Sequence, residues 1–141
     1  MNLIIFDCDD TIWNIPYEEN DKFMDTPESL EYDFKYKQEI VDIYNDRKKN
    51  SNNKIVILTN RIDTLKNKLL NKLEDEQNIV FDYQLFRSLD RDKSHRLKDL
   101  LRTLDNIEEV EFYDDKEKHI KSINKLKTKF FNINFKINKV Q

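Results

Sequence analysis

Apolar residues fall into blocks whose spacing alternates between two kinds along the chain. The runs "NLIIF" (2–6) and "KIVIL" (54–58) are short, continuous and β-branched, the pattern of strands covered on both faces. Between them, Thr26 is placed to cap a helix with Pro27 at its first position, and Leu30, Phe34, Val41 and Tyr44 recur at helical spacing, which predicts one helix to about Arg47. The polar stretch "NDRKKNSNN" then reads as a loop. After "TNR", Leu65, Leu69, Leu70 and Leu73 mark a second amphipathic helix, and "IVFDYQLF" (79–86) returns to strand character. Leu97, Leu100, Leu101 and Leu104 predict a third helix, "EVEFY" (109–113) a strand, and Ile120, Ile123 and Leu126 a fourth helix. Phe131, Ile133, Phe135 and Ile137 alternate with polar residues, as in a half-exposed terminal strand at a sheet edge.

Strands alternating with helices predict an α/β fold: a doubly wound, mostly parallel five-stranded sheet with helices on both faces, built as a single domain over residues 1–141. Ligands bind such sheets beyond the carboxyl ends of the strands. Three of those ends carry polar groups suited to phosphate chemistry: Asp7, Asp9 and Thr11 after the first strand, Thr59 after the second, and Asp114 with Asp115 after the fourth.

Composition narrows the chemistry. The chain holds no glycine, which disfavours phosphate-binding loops and dinucleotide fingerprints, whose backbones need Gly to approach phosphate closely. Left-handed backbone positions then fall mainly to Asn and Asp. The net charge of −3 excludes a generally basic nucleic-acid binder, although acids dominate 18–33 and lysines dominate 116–139. One cysteine forms no internal disulfide, and no stretch approaches a membrane span or a cleaved signal peptide, so a cytoplasmic setting without membrane partners is expected.

"LIIFDCDDTIW" drives an apolar strand straight into three acids. Such a cluster persists only where a cation, donors or water compensate the repulsion. Alternation along an extended segment places Asp7 and Asp9 on one side and Cys8 on the other, which makes Cys8 a packing residue. Taken alone, "DCDDT" also suits an acidic turn, and Asp114 with Asp115 could simply cap the following helix.

In order, however, "DCDDT", "ILTNR", a helix-borne Lys and "FYDD" resemble the four motifs of the haloacid dehalogenase (HAD) superfamily across nearly the whole chain. The resemblance implies a Mg²⁺-dependent phosphohydrolase acting on a phosphomonoester. Asp7 would attack phosphorus to form an aspartyl-phosphate, and Asp9 would protonate the leaving group and then activate water. It further implies Mg²⁺ held by Asp7, the main-chain carbonyl of Asp9 and Asp114, with Asp115 in support. Thr59 would donate to the phosphoryl group, and a lysine, Lys98 with Lys93 as the alternative, would balance the intermediate. Thr11, Asn60, Arg61 and Lys93 are the expected substrate contacts.

"TPESL", "ILTNR" and "YDDKEKH" more closely resemble the HAD-like domains called Swiss Army Knife RNA repair-like, with Asn60 in place of Gly and Lys116 in place of Arg. That resemblance implies nucleotide or nucleic-acid end phosphates as substrates. The short gaps between motifs leave no room for a sizeable cap, so an open site is expected, bordered by Arg61, Arg87, Arg91, Lys93 and Arg96.

Several residues carry two readings. Arg61 could clamp phosphate or pair with Asp63. Trp13 could stack on a base or fill the core. His119 reads as a hydrogen-bonding support of the site, His95 as a solvated surface residue, and the lysines from Lys116 to Lys129 as a solvated helix face with a lesser claim to RNA contact. Two rival functions share the motifs: a catalytically silent HAD-derived RNA- or phosphate-binding module, and a phospho-acceptor signalling domain. A receiver domain phosphorylates an Asp after its third strand, where this chain has "FDYQLF".

Overall fold

The computed structural model describes every residue except Asp90. Five strands, β1 (Asn2–Phe6), β4 (Asn53–Ile62), β5 (Tyr83–Arg87), β6 (Glu109–Asp114) and β7 (Asn134–Lys139), form one sheet in the order β5-β4-β1-β6-β7, every neighbouring pair parallel. Strands β2 (Trp13–Asn14) and β3 (Lys35–Tyr36) form a small antiparallel hairpin above it. The helices are α1 (Asp21–Met24), α2 (Gln38–Lys48), α3 (Lys66–Gln77), α4 (Lys93–Thr103) and α5 (Glu117–Asn124).

The alternation of β1 divides the core. Ile4 and Phe6 pack with Ile40, Val41 and Tyr44 of α2 and Leu69 and Leu73 of α3, whereas Leu3 and Ile5 pack with Leu97 and Leu101 of α4 and Ile120 and Ile123 of α5. All four strand residues are at most 2% exposed, so each face removes several large side chains from water at roughly 1.5–3 kcal/mol apiece. The doubly wound expectation is met, and no large cap is present.

From β1 the chain builds outward to β4 and β5, then returns to β6 and β7 on the other side. The direction of winding reverses between β1 and β6, and a crevice opens there at the carboxyl ends. Asp7 follows β1 and Asp114 ends β6, with Phe6 paired to Tyr113 just beneath them. With no glycine available, Asp10, Asn78 and Asn106 take the left-handed conformation, at φ 60°, 56° and 61°. Asp10 does so inside the turn after β1, where its amide donates to Trp13 O at 2.7 Å and Oδ1 accepts from Ile15 N.

Three expected elements differ. The helix predicted from Thr26 begins only at Gln38: Pro27–Leu30 is a single 3-10 turn and Lys35–Tyr36 are strand β3. Leu30 and Phe34 are buried not along a helix but beneath the hairpin, where Phe34 stacks on Trp13 with ring centroids 4.3 Å apart. Strand β5 starts at Tyr83, because Ile79 and Phe81 turn down into the α2–α3 core before the ladder begins. Phe131 lies outside β7 and is 84% exposed, while β7 does form the sheet edge.

Helix α4 starts on a charged cap. Asp92 accepts from the Ser94 amide and hydroxyl and from the Ser122 hydroxyl of α5. Burial pushes this carboxyl up, but those hydrogen bonds outweigh it and hold it below the usual range. A depressed acid contributes stability above its unfolded pKa, about 3.9 for Asp, and loses it as pH falls through the folded value. The thermal midpoint of the wild type should therefore fall towards that of Asp92→Asn on acidification. An identical gap between the two at neutral and strongly acidic pH would show that the cap charge contributes nothing.

Candidate functional site

The site is assembled from the ends of three adjacent strands. Asp7 is set immediately beyond β1, its amide donating to Tyr113 O at 2.9 Å, and it faces Asp114 at the end of β6. Lys93, the first residue of α4, reaches between them: Nζ donates to Asp7 Oδ1 at 2.7 Å and to Asp114 Oδ2 at 2.8 Å, with the lysine only 1% exposed. Thr11 donates to Asp7 Oδ2 at 3.1 Å and stands 3.3 Å from Asp115 Oδ1. His119 Nδ1 lies 3.0 Å from Asp114 Oδ2 and Nε2 lies 3.5 Å from the Asn60 amide nitrogen.

Charge is unevenly shared. Burial drives the Asp7 carboxyl well above the usual range and the charge of Asp114 adds to this, with Lys93 only partly opposing. Asp114 is also penalised by burial, but Lys93 and His119 hold it well below that range. Asp114 is thus the settled anion, and Asp7 the group whose ionisation is costly.

One carboxylate oxygen each from Asp7, Asp114 and Asp115 lies within 4.8 Å of the others. These are hard oxygen donors with more negative charge than Lys93 balances, a set suited to a divalent cation such as Mg²⁺. The carboxylate of Asp9 stands apart from this cluster, held by Arg61 and Trp13. Asp114 Oδ1 additionally accepts from the Lys116 amide at 3.0 Å, so the acid also starts α5.

Arg61 is neither a free phosphate clamp nor a partner of Asp63. It is 2% exposed, and its Nε and Nη2 grip Asp9 Oδ2 and Oδ1 at 2.8 and 2.9 Å. Nη1 donates to Met24 O and Ser29 Oγ, and Nη2 also to Tyr17 OH, so all five N–H donors of the guanidinium are used. Ser29, within "TPESL", receives Arg61 and donates onward to Thr26 O at 2.6 Å. Trp13 is a core residue, completely buried, and its indole N–H donates to Asp9 Oδ1 at 3.0 Å. Spacing alone offered no signal for this network, because its members lie up to 52 residues apart.

Thr59 is buried beside the cavity, its hydroxyl accepting from the Arg61 amide at 3.1 Å. Asn60 lines the same cavity and is held by Arg96. Lys98 is not at the carboxylates: it is half-buried in a groove between α4 and α5, a turn and more beyond Lys93. The difference is one of reach: Lys93, at the start of α4, extends to the carboxylates, whereas Lys98 faces the groove. Cys8 is fully buried and burial pushes its thiol up, as expected of an inert packing residue. His95 is an exposed neighbour of Asp92.

The expected open, basic mouth is instead narrow. The segment joining β2 to β3 crosses it through ion pairs of Glu19 with Lys116, Asp21 with Arg91 (2.8 Å) and Asp25 with Arg87 (2.5 Å), leaving a cavity of about 50 Å³ over Asp7, Thr59 and Lys93. Arg61, Arg87, Arg91, Lys93 and Arg96 all have protein partners: Arg87 and Arg91 pair with Asp25 and Asp21 of the acidic segment, Arg61 with Asp9, Lys93 with Asp7 and Asp114, and Arg96 with Thr59 O and Asn60. No helix of the described residues is long and apolar enough to cross a membrane.

A search of curated proteins finds no match to this chain. Among solved structures, the fold is similar to chains in "Structure of the Pnkp1/Rnl/Hen1 RNA repair complex" (TM-score 0.67, 14% identity) and "Structure of Pnkp1/Rnl/Hen1 complex" (TM-score 0.68, 12% identity). In both cases 99% of this chain is covered, but it spans only 42% and 45% of theirs. The family described as HAD domain family 1 in Swiss Army Knife RNA repair proteins matches residues 9–141, from the second acid of "DCDDT" through β7. The chain therefore belongs to that HAD domain family.

Proposed function

We propose that the domain is a Mg²⁺-dependent phosphohydrolase that removes terminal phosphates from nucleotides or nucleic-acid ends through an aspartyl-phosphate on Asp7. The observation that carries this reading is the convergence of Asp7, Asp114, Asp115 and Lys93 at the point where the sheet reverses its winding. Asp7, Asp114 and Asp115, with the Asp9 carbonyl, would hold the cation, which supplies charge neutralisation at the phosphoryl oxygens. An Asp7 oxygen bonds to phosphorus as the ester P–O bond breaks, and the departing oxygen takes a proton from Asp9. Water then attacks the phosphorus, Asp9 takes its proton, and the Asp7 carboxylate is released with inorganic phosphate. Lys93, rather than Lys98, balances the charge on Asp7, while Thr59, Asn60 and Thr11 supply donors around the phosphoryl group.

The test is phosphate release from a panel of small phosphomonoesters, nucleotides and 5′- and 3′-phosphorylated oligonucleotides. Release is expected with Mg²⁺ and is abolished by a chelator. No release from any member would overturn the catalytic reading.

One observation favours a second reading, a phosphate-binding domain without turnover. The Asp9 carboxylate is held two-fold by Arg61 and again by Trp13, so both of its oxygens are committed to protein donors rather than to a leaving group. Oligonucleotide binding unaffected by Asp9→Asn, together with absent phosphate release, would identify that case. Radiolabelled phosphate trapped on Asp7 for hours would instead mark a phospho-acceptor whose second step is stalled.

A further inference from the structure

Beside the cavity over Asp7 lies a much larger depression of about 630 Å³ between α4 and α5, and the buried Lys93 and His119 line both. Its walls are basic. Lys118, Lys121, Lys125 and Lys129 recur every three or four residues along α5 and the 3-10 turn Lys125–Thr128, so they form one stripe, and Lys98 faces them from α4. Among the described residues these five ammonium groups make no ion pair, unlike the arginines at the mouth of the cavity. Among the described residues Asp92 is the one acid lining the groove, and it is engaged as the cap of α4. The opposite rim of the cavity carries Glu19, Asp21 and Asp25, whose ion pairs with Lys116, Arg91 and Arg87 already take up the cations on that side.

We infer that this groove is the track for the backbone of a single-stranded nucleic acid whose terminal phosphate lies at Asp7, an inference that rests on the phosphohydrolase reading of that site. The stripe from Lys118 to Lys129 spans roughly 17 Å at helical rise, enough to meet several successive phosphates. An acidic protein partner fits less well, because among the described residues Leu126 is the only apolar one lining the groove, whereas protein interfaces bury an apolar and aromatic core. No aromatic ring lines it either, so there is no platform for base stacking and binding is independent of sequence.

The test is fluorescence anisotropy of the full chain with a labelled twelve-nucleotide RNA carrying hydroxyl ends, so that the readout requires no phosphate chemistry. Four to five lysine contacts predict that log affinity falls with log salt at a slope of about −3, the same for oligouridylate and mixed sequence. Substituting Lys121→Ala, Lys125→Ala and Lys129→Ala together should weaken binding at least about tenfold and make the slope shallower by about 2, leaving hydrolysis of a small phosphomonoester unchanged. Unchanged affinity and slope in the triple variant would overturn the groove assignment, and so would displacement of the RNA by polyglutamate of equal charge. Lost RNA binding in that variant, beside a wild type that releases no phosphate, would uphold the groove and overturn the hydrolase.

Discussion

Replacing Arg61 by methionine should destabilise the domain by about 3–5 kcal/mol, the cost of removing one partner from a buried ion pair, and lower its thermal midpoint by roughly 10 °C. The loss comes less from the pair itself than from what remains. Asp9, 6% exposed, is left with only the Trp13 indole, and Ser29, Tyr17 and the Met24 carbonyl lose a donor together. Lysine should not rescue the change, because one ammonium cannot replace a planar fork with five donors. The double variant Arg61→Met with Asp9→Asn should recover a large part of the loss, since it removes the orphaned charge as well. Equal stability of Arg61→Met and wild type in urea unfolding would mean that Asp9 relaxes to solvent and that the network is not built as described.

Asp7→Asn should abolish phosphate release, by at least about a thousandfold, yet raise the thermal midpoint of the metal-free protein at neutral pH. The two effects have one cause. Burial first, and Asp114 second, push the Asp7 carboxyl up. A carboxyl raised in the folded state contributes its full stability below the unfolded pKa and loses it as pH rises through the folded value. Ionising Asp7 in the fold is therefore costly above the unfolded pKa, a cost that asparagine removes while still accepting from Lys93. The stability gain should vanish on acidification towards about pH 4, where the unfolded carboxyl also protonates. Unchanged activity would remove Asp7 from the chemistry. A midpoint lowered at neutral pH would show that the ionised carboxylate is a net stabiliser, against the burial argument.

The strands were legible in the sequence where burial on both faces produced a continuous apolar run, as in "NLIIF" and "KIVIL", and "EVEFY" was legible from its β-branched and aromatic residues despite two glutamates. The acids following them were legible too, because a charge cluster at the end of such a run has few structural explanations. The segment 26–36 misled because Leu30 and Phe34 keep helical spacing while being buried for another reason, the packing of the β2–β3 hairpin through Trp13. Residues 79–82 misled in the same way: Ile79 and Phe81 are apolar for the helical layer, not for the ladder.

By itself the sequence determined the order of the five strands of the main sheet and of the helices α2 to α5 between them, the place of the acids at strand ends, and the use of Asp and Asn where glycine would otherwise serve. These are local matters, encoded within a turn or two of each residue by periodicity and backbone preference. Only the tertiary structure decided that Lys93 and not Lys98 meets Asp7, that Arg61 holds Asp9, and that the acids of 18–33 close over the arginines while the lysines of α5 stay unpaired. A buried charge takes whatever partner the fold brings within about 3 Å, and that distance depends on how helices seat on the sheet, not on separation along the chain.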